Sequence, residues 1–120
     1  GLNMPLIYKI ATADQWREAQ AAGRFTGAPV DIADGFIHFS TADTVVETAA
    51  KHFAGQDGLV LAALEAEMLG DKLTWEVSRG GALFPHLYRA LEMREVLWAK
   101  PLPLRNGAHD FSALLQGSAQ

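Results

Sequence analysis

The run Leu59-Val60-Leu61-Ala62-Ala63-Leu64 constrains this chain more than any other stretch, because six apolar residues follow one another without alternation. A strand with one wet face alternates apolar and polar side chains, so an unbroken run is dry on both faces, as a strand between two layers or as a buried helical segment. The turn signal Gly55-Gln56-Asp57-Gly58 and the short length favour the strand. Such a strand needs apolar material on two sides. With 49% hydrophobic residues in 120, the chain has enough for one compact core.

The flanking segments supply the layers. Leu6-Ile7-Tyr8-Lys9-Ile10 reads as a first strand, and Thr12-Ala13-Asp14-Gln15 has the form of a capping box leading into a helix that stops at Gly23. Trp16, Ala19 and Ala22 give that helix its buried stripe. Gly27, Pro29 and Gly35 break the pattern from Arg24 to Asp34, which predicts a loop longer than the usual connection of about 4 to 6 residues, of the kind that edges a site. Gly35 to Phe39 follows as a strand, and Ser40 or Thr41 caps a helix carrying Val45, Val46, Ala49 and Phe53 at helical spacing up to Gly55. Leu73 to Val77 reads as another strand, and a last one lies around Val96-Leu97-Trp98, ended by Pro101 and Pro103. Strands interspersed with two main helices predict an α+β fold. Residues 4–104 form its single domain and 105–120 a partly ordered extension, with a short helix over Asp110 to Leu115. Gly1 to Asn3 read as residues appended before a natural start at Met4.

Composition removes several classes of function. With no cysteine there is no disulfide framework, thiolate metal site or cysteine nucleophile, which fits a reducing cytoplasm. A net charge of −4 and no run of Lys or Arg argue against a polynucleotide partner, while leaving a single nucleotide open. No window approaches the roughly 20 apolar residues that span a bilayer, so no membrane association is expected. His38, His52, His86 and His109 have no ligand spacing between them, so no metal site is expected.

The chemistry gathers in two segments. In Asp34-Gly35-Phe36-Ile37-His38-Phe39-Ser40-Thr41-Ala42, alternation places Phe36, His38 and Ser40 on one face. His38 there is either a buried neutral imidazole bonded to backbone or a ligand-orienting acid/base group. Ser40 and Thr41 read first as caps, and the helix N-terminus behind them as a place for a phosphate or ribose oxygen. In Leu73-Thr74-Trp75-Glu76-Val77-Ser78-Arg79-Gly80-Gly81, Glu76 shares its face with Thr74 and Ser78, as a solvated acid or as part of a site with Arg79, His86 and Tyr88. Arg79 beside two glycines has the chemistry to meet an anion, without the spacing of a phosphate-binding loop. Phe84-Pro85-His86-Leu87-Tyr88 is an aromatic plug or a second wall of that site.

On these segments, together with Ile7-Tyr8-Lys9-Ile10, Trp16, Gly23, Phe53-Ala54-Gly55 and Leu59-Val60-Leu61, the chain resembles the bacterial family catalogued as domain of unknown function 952, from about Ile7 to Pro103. That family in turn resembles the ADP-ribosyltransferase superfamily, which implies a mixed, split β-sheet with NAD in its cleft. Carried over by position, the resemblance makes Lys9 the first-strand ribose contact. It makes Ser40 and Thr41, after His38, the nicotinamide-pocket element, and Glu76 or Glu95 the acid that stabilises a ribosyl cation. Lys9 departs from the His or Arg of that pattern. The expected site is therefore Glu76 and His38 as catalytic groups, with Lys9, His38, Ser40, Thr41, Trp75, Arg79, His86 and Tyr88 holding NAD or a related nucleotide. ADP-ribosyl transfer or NAD glycohydrolysis is the activity implied, and a binding or interaction module that keeps only the fold is the alternative.

Overall fold

The structure, a computed structural model, describes residues 5–115, and of Arg79 its backbone only. In chain order the elements are β1 (Leu6–Thr12), α1 (Ala13–Ala22), β2 (Arg24–Phe25), α2 (Pro29–Asp34), β3 (Ile37–His38), β4 (Ser40–Thr41) and α3 (Val45–His52). There follow β5 (Leu59–Glu65), β6 (Leu73–Val77), β7 (Leu83–Leu87), β8 (Leu91–Glu92), β9 (Trp98–Leu102), β10 (Leu104–Arg105), β11 (Ala108–His109) and α4 (Ser112–Leu115). The fold is α+β. Every pairing among the described strands is antiparallel, so the expected mixed sheet is replaced by separate antiparallel sheets.

The central sheet runs β4-β1-β5-β9. Its strand β5 is buried on both faces, as the unbroken apolar run requires: Ala62 and Leu64 enter one core and Leu59, Leu61 and Ala63 the other. The first core holds Trp16 and Ala19 of α1 with Phe25, Ile37, Phe39 and Leu87, and the second holds Tyr8, Val45 and Ala49 of α3, Leu102 and Phe111. A fully buried leucine of this kind contributes about 2 to 5 kcal/mol against alanine. Phe111 belongs to the second core, with Leu114 and Leu115 packed against it.

The predicted capping box is present, with Thr12 accepting from Gln15 N–H and Gln15 accepting from Thr12 N–H. Two helix positions differ from expectation, since Ala22 and Val46 are exposed. The stretch expected as a loop from Arg24 to Asp34 contains β2 and the short helix α2. Pro29 at the first helical position, Asp31 at the third and Gly35 in the left-handed region at φ 89° give α2 its start and stop. Pro101 lies within β9 instead of ending it, paired with Val60. The pairing is compatible with proline because β9 is an edge strand, where the missing N–H faces outward.

A second sheet, β3-β7-β6, carries the chemistry. The strand expected over Gly35 to Phe39 begins only at Ile37, since Gly35 ends α2, and it changes sheet at Phe39: β3 pairs with β7, whereas β4 pairs with β1. Ser40 and Thr41 therefore lie in a strand and do not cap α3, which corrects the expectation for both. The cap position is Thr44, whose hydroxyl accepts from Thr41 N–H at 3.0 Å. Among the described residues no helix is long and apolar enough to cross a membrane.

Candidate functional site

Sheet register assembles the site. His38 stands directly opposite His86, and His86 opposite Thr74, so β3, β7 and β6 contribute one row across the sheet. Strand alternation adds Glu76 to the same face, and Phe36 and Tyr88, just beyond the ends of β3 and β7, reach it through their rings. The contacts follow from that register. The His38 and His86 rings lie 5.5 Å apart, and Phe36 stacks on His86 at 4.1 Å and 23° while touching His38 and Tyr88 at 4.6 and 5.2 Å.

On the β6 side, Glu76 Oε1 accepts from Tyr88 hydroxyl at 2.8 Å and meets His86 Nδ1 at 2.6 Å. The His86 bond foremost, then that of Tyr88, holds the Glu76 carboxyl below the usual range, while the bond to Glu76 raises the Tyr88 phenol. His86 is buried, whereas Glu76 and Tyr88 face partly outward. The arrangement is an ionised carboxylate presented at the edge of an aromatic surface.

On the α2 side, the organiser is Asp31, a residue that sequence reading passed over as loop. Its carboxylate, 1% exposed, receives five hydrogen bonds. Two come from Lys9 Nζ, and the others from Ala28 N–H at 2.7 Å, His38 N–H at 3.1 Å and His38 Nδ1 at 2.6 Å. Burial pushes this carboxyl up, but His38, Lys9 and the backbone donor together bring it down to about 2. Burial likewise draws the Lys9 ammonium below the lysine range, against the pull of Asp31. The signal that could have found Asp31 was the helix grammar of Pro29, Asp31 and Gly35, which reads as N1, N3 and C′.

Lys9 has three N–H donors. All are engaged, on both Asp31 oxygens and on His38 carbonyl at 3.0 Å, so it braces the site from within the core rather than reaching a ligand. Both His38 nitrogens are bonded as well, Nδ1 to Asp31 and Nε2 to Asp34 Oδ2 at 2.9 Å.

Of the expected residues, His38, Glu76, His86 and Tyr88 come together, with Lys9 attached through Asp31. Ser40 and Thr41 do not join them, because their hydroxyls meet Thr48 and Thr44 at the start of α3. Trp75 pairs with Pro85 and projects from the opposite face of the β6–β7 hairpin, 41% exposed. The Arg79 side chain lies outside what the structure describes. Glu95, the other acid considered, is bound in bidentate fashion by Arg89 and closes a 3₁₀ turn on Glu92 N–H. Among the described residues no group of three or more His, Cys, Asp or Glu is placed to hold a metal ion. A depression of about 200 Å³ borders the site between Asp31, Phe36 and Arg89.

The chain belongs to the family described as protein of unknown function (DUF952), whose model matches residues 10–99. It is similar to the crystal structure of protein CC0527 from Caulobacter crescentus, at 51% identity and a TM-score of 0.89, over 96% of this chain and 99% of that one. It is likewise similar to the solution NMR structure of the same Caulobacter crescentus protein, at 53% identity and a TM-score of 0.82, over 90% and 94% of the two chains. No curated protein matches the sequence.

Proposed function

We propose that this is a cytoplasmic small-ligand protein whose ligand, NAD or a related nucleotide, lies on the polar face of β3, β7 and β6. ADP-ribosyl transfer or NAD glycohydrolysis is the reaction the site would run. The observation that carries the reading is Glu76: a partly exposed carboxylate, kept ionised by His86 and Tyr88, beside the Phe36 and Tyr88 rings. Breaking the nicotinamide–ribose bond develops positive charge on the ribose, and a pre-oriented carboxylate stabilises that charge without reorganising. The aromatic rings offer stacking surface to a base. The resemblance to ADP-ribosyltransferases supplies the chemical precedent, and fold alone does not transfer it.

A binding module without catalysis is favoured by a different observation. Lys9 and both nitrogens of His38 are engaged inside the protein, which leaves fewer groups to act on a substrate. Titration with NAD, read by amide chemical shifts and by release of nicotinamide, separates the two. Catalysis predicts shifts around Phe36 to His38 and Glu76 to Tyr88, with Glu76→Gln retaining binding but losing cleavage, since the carboxylate acts on the transition state. Binding without cleavage in the wild type assigns the module, and the absence of shifts at millimolar NAD overturns the nucleotide reading.

A further inference from the structure

The two carboxylates on His38 are not equivalent. Asp31 is fully buried and held by five bonds, so its contact with Nδ1 is a fixed part of the fold. Asp34 is 48% exposed, ends α2 ahead of Gly35, and its carboxylate meets one side chain among the described residues, His38, whose Nε2 lies 2.9 Å from Oδ2. Each ring nitrogen of His38 faces a carboxylate, Nδ1 that of buried Asp31 and Nε2 that of exposed Asp34. Lys9 neutralises Asp31 from beneath. Nε2 is thus the ring nitrogen directed outward, at Asp34.

We infer that His38 Nε2 is an anion-binding subsite, that Asp34 is its resting occupant, and that the ligand's phosphate or carboxylate oxygen takes the place of the Asp34 carboxylate. This deepens the nucleotide reading by assigning the anionic oxygen its donor. Three features make the exchange feasible. His38 is itself 33% exposed, so the donor can be reached from solvent. The Asp34 carboxylate can leave by rotation about its own side-chain bonds, without disturbing the backbone. An ion pair exposed to water is weak, so exchanging it for a charge-assisted bond to the incoming oxygen costs little. The displaced aspartate stays nearby and repels the anion, and Asp34 therefore weakens every anionic ligand that uses this donor.

The test uses inorganic phosphate and NAD as separate probes on the full chain, with His38 ring resonances recorded in the wild type, Asp34→Ala and Asp34→Asn. Phosphate should shift the His38 Nε2 signal in all three. It should bind both variants more tightly than the wild type, by about fivefold or more, as expected for removal of a competing charge. Equal phosphate affinity in wild type and both variants, or no response of His38 in Asp34→Ala, overturns the inference. The probes also separate this inference from the function above. Phosphate binding at His38 without NAD binding supports the subsite and removes the nucleotide reading. NAD shifts at Glu76 and Tyr88 with His38 silent do the reverse.

Discussion

Replacing Asp31 by Asn tests the core of the structural argument. A carboxyl held at about 2 against an ordinary 3.8 corresponds to about 2.5 kcal/mol of stability in the ionised form. The group is 1% exposed, so solvent screening does not reduce that figure. Because the folded-state value is the lower one, this stability is present in full above the unfolded value near 4 and disappears as pH falls through about 2. The Asn variant lacks this term. It also leaves the Lys9 ammonium buried without its partner, and breaking a buried pair on one side costs about 3 to 5 kcal/mol. Urea unfolding of both proteins at fixed ionic strength should show a gap of that size at neutral pH, narrowing by about 2 kcal/mol between pH 5 and pH 2. On the alkaline side, Lys9 in the variant loses its proton more readily when folded than when unfolded, so the variant should gain stability as pH rises. Wild-type and variant curves that run parallel from pH 5 to 2 would refute the reasoning.

Four further outcomes follow from single contacts. Thr12→Ala removes one half of a capping box and should cost about 1 kcal/mol by denaturation, whereas Ser40→Ala should leave the start of α3 intact in its amide chemical shifts. Gly27→Ala should destabilise by about 1 to 3 kcal/mol, because φ there is 122° and the added Cβ falls 2.9 Å from the Asp31 Cβ; a neutral melting temperature counts against that close approach. Tyr8→Phe should be neutral or stabilising by about 1 kcal/mol, since the Tyr8 hydroxyl is buried without a hydrogen-bond partner among the described residues. A clear loss of stability in that variant would mean the hydroxyl is bonded.

The sequence carried the elements whose cause is local. The capping box at Thr12 and the doubly buried β5 are set by neighbouring residues, and each stands in the structure, whereas the alternation expected of β6 does not, since Trp75 and Val77 are exposed and Glu76 is half-buried. What depended on distant partners was lost. Pro101 looked like a strand terminator because nothing in the sequence says that β9 is an edge, and Ser40 looked like a cap because nothing says that the chain changes sheet at Phe39. Lys9 looked available to a ligand for the same reason: its partner Asp31 is 22 residues away. Asp31 itself was missed through local grammar, since α2 has only six residues and Pro29 and Gly35 were read as breakers rather than as its start and stop.

The change of sheet at Phe39 bears on how this surface behaves in motion. Five consecutive residues, 37–41, are stitched first to β7 and then to the central strand β1, and the Phe39 amide is itself bonded to Pro85 carbonyl at 3.0 Å. Peeling His38 from its neighbours therefore pulls on the middle of the molecule, with no hinge between the two. Slow hydrogen exchange at His38 and Phe39 should match that of β1 and β5, because all of them open only when the whole chain opens. A molecule that settles on this face is then coupled to global unfolding, and its affinity is expressed in full as an upward shift of the melting temperature.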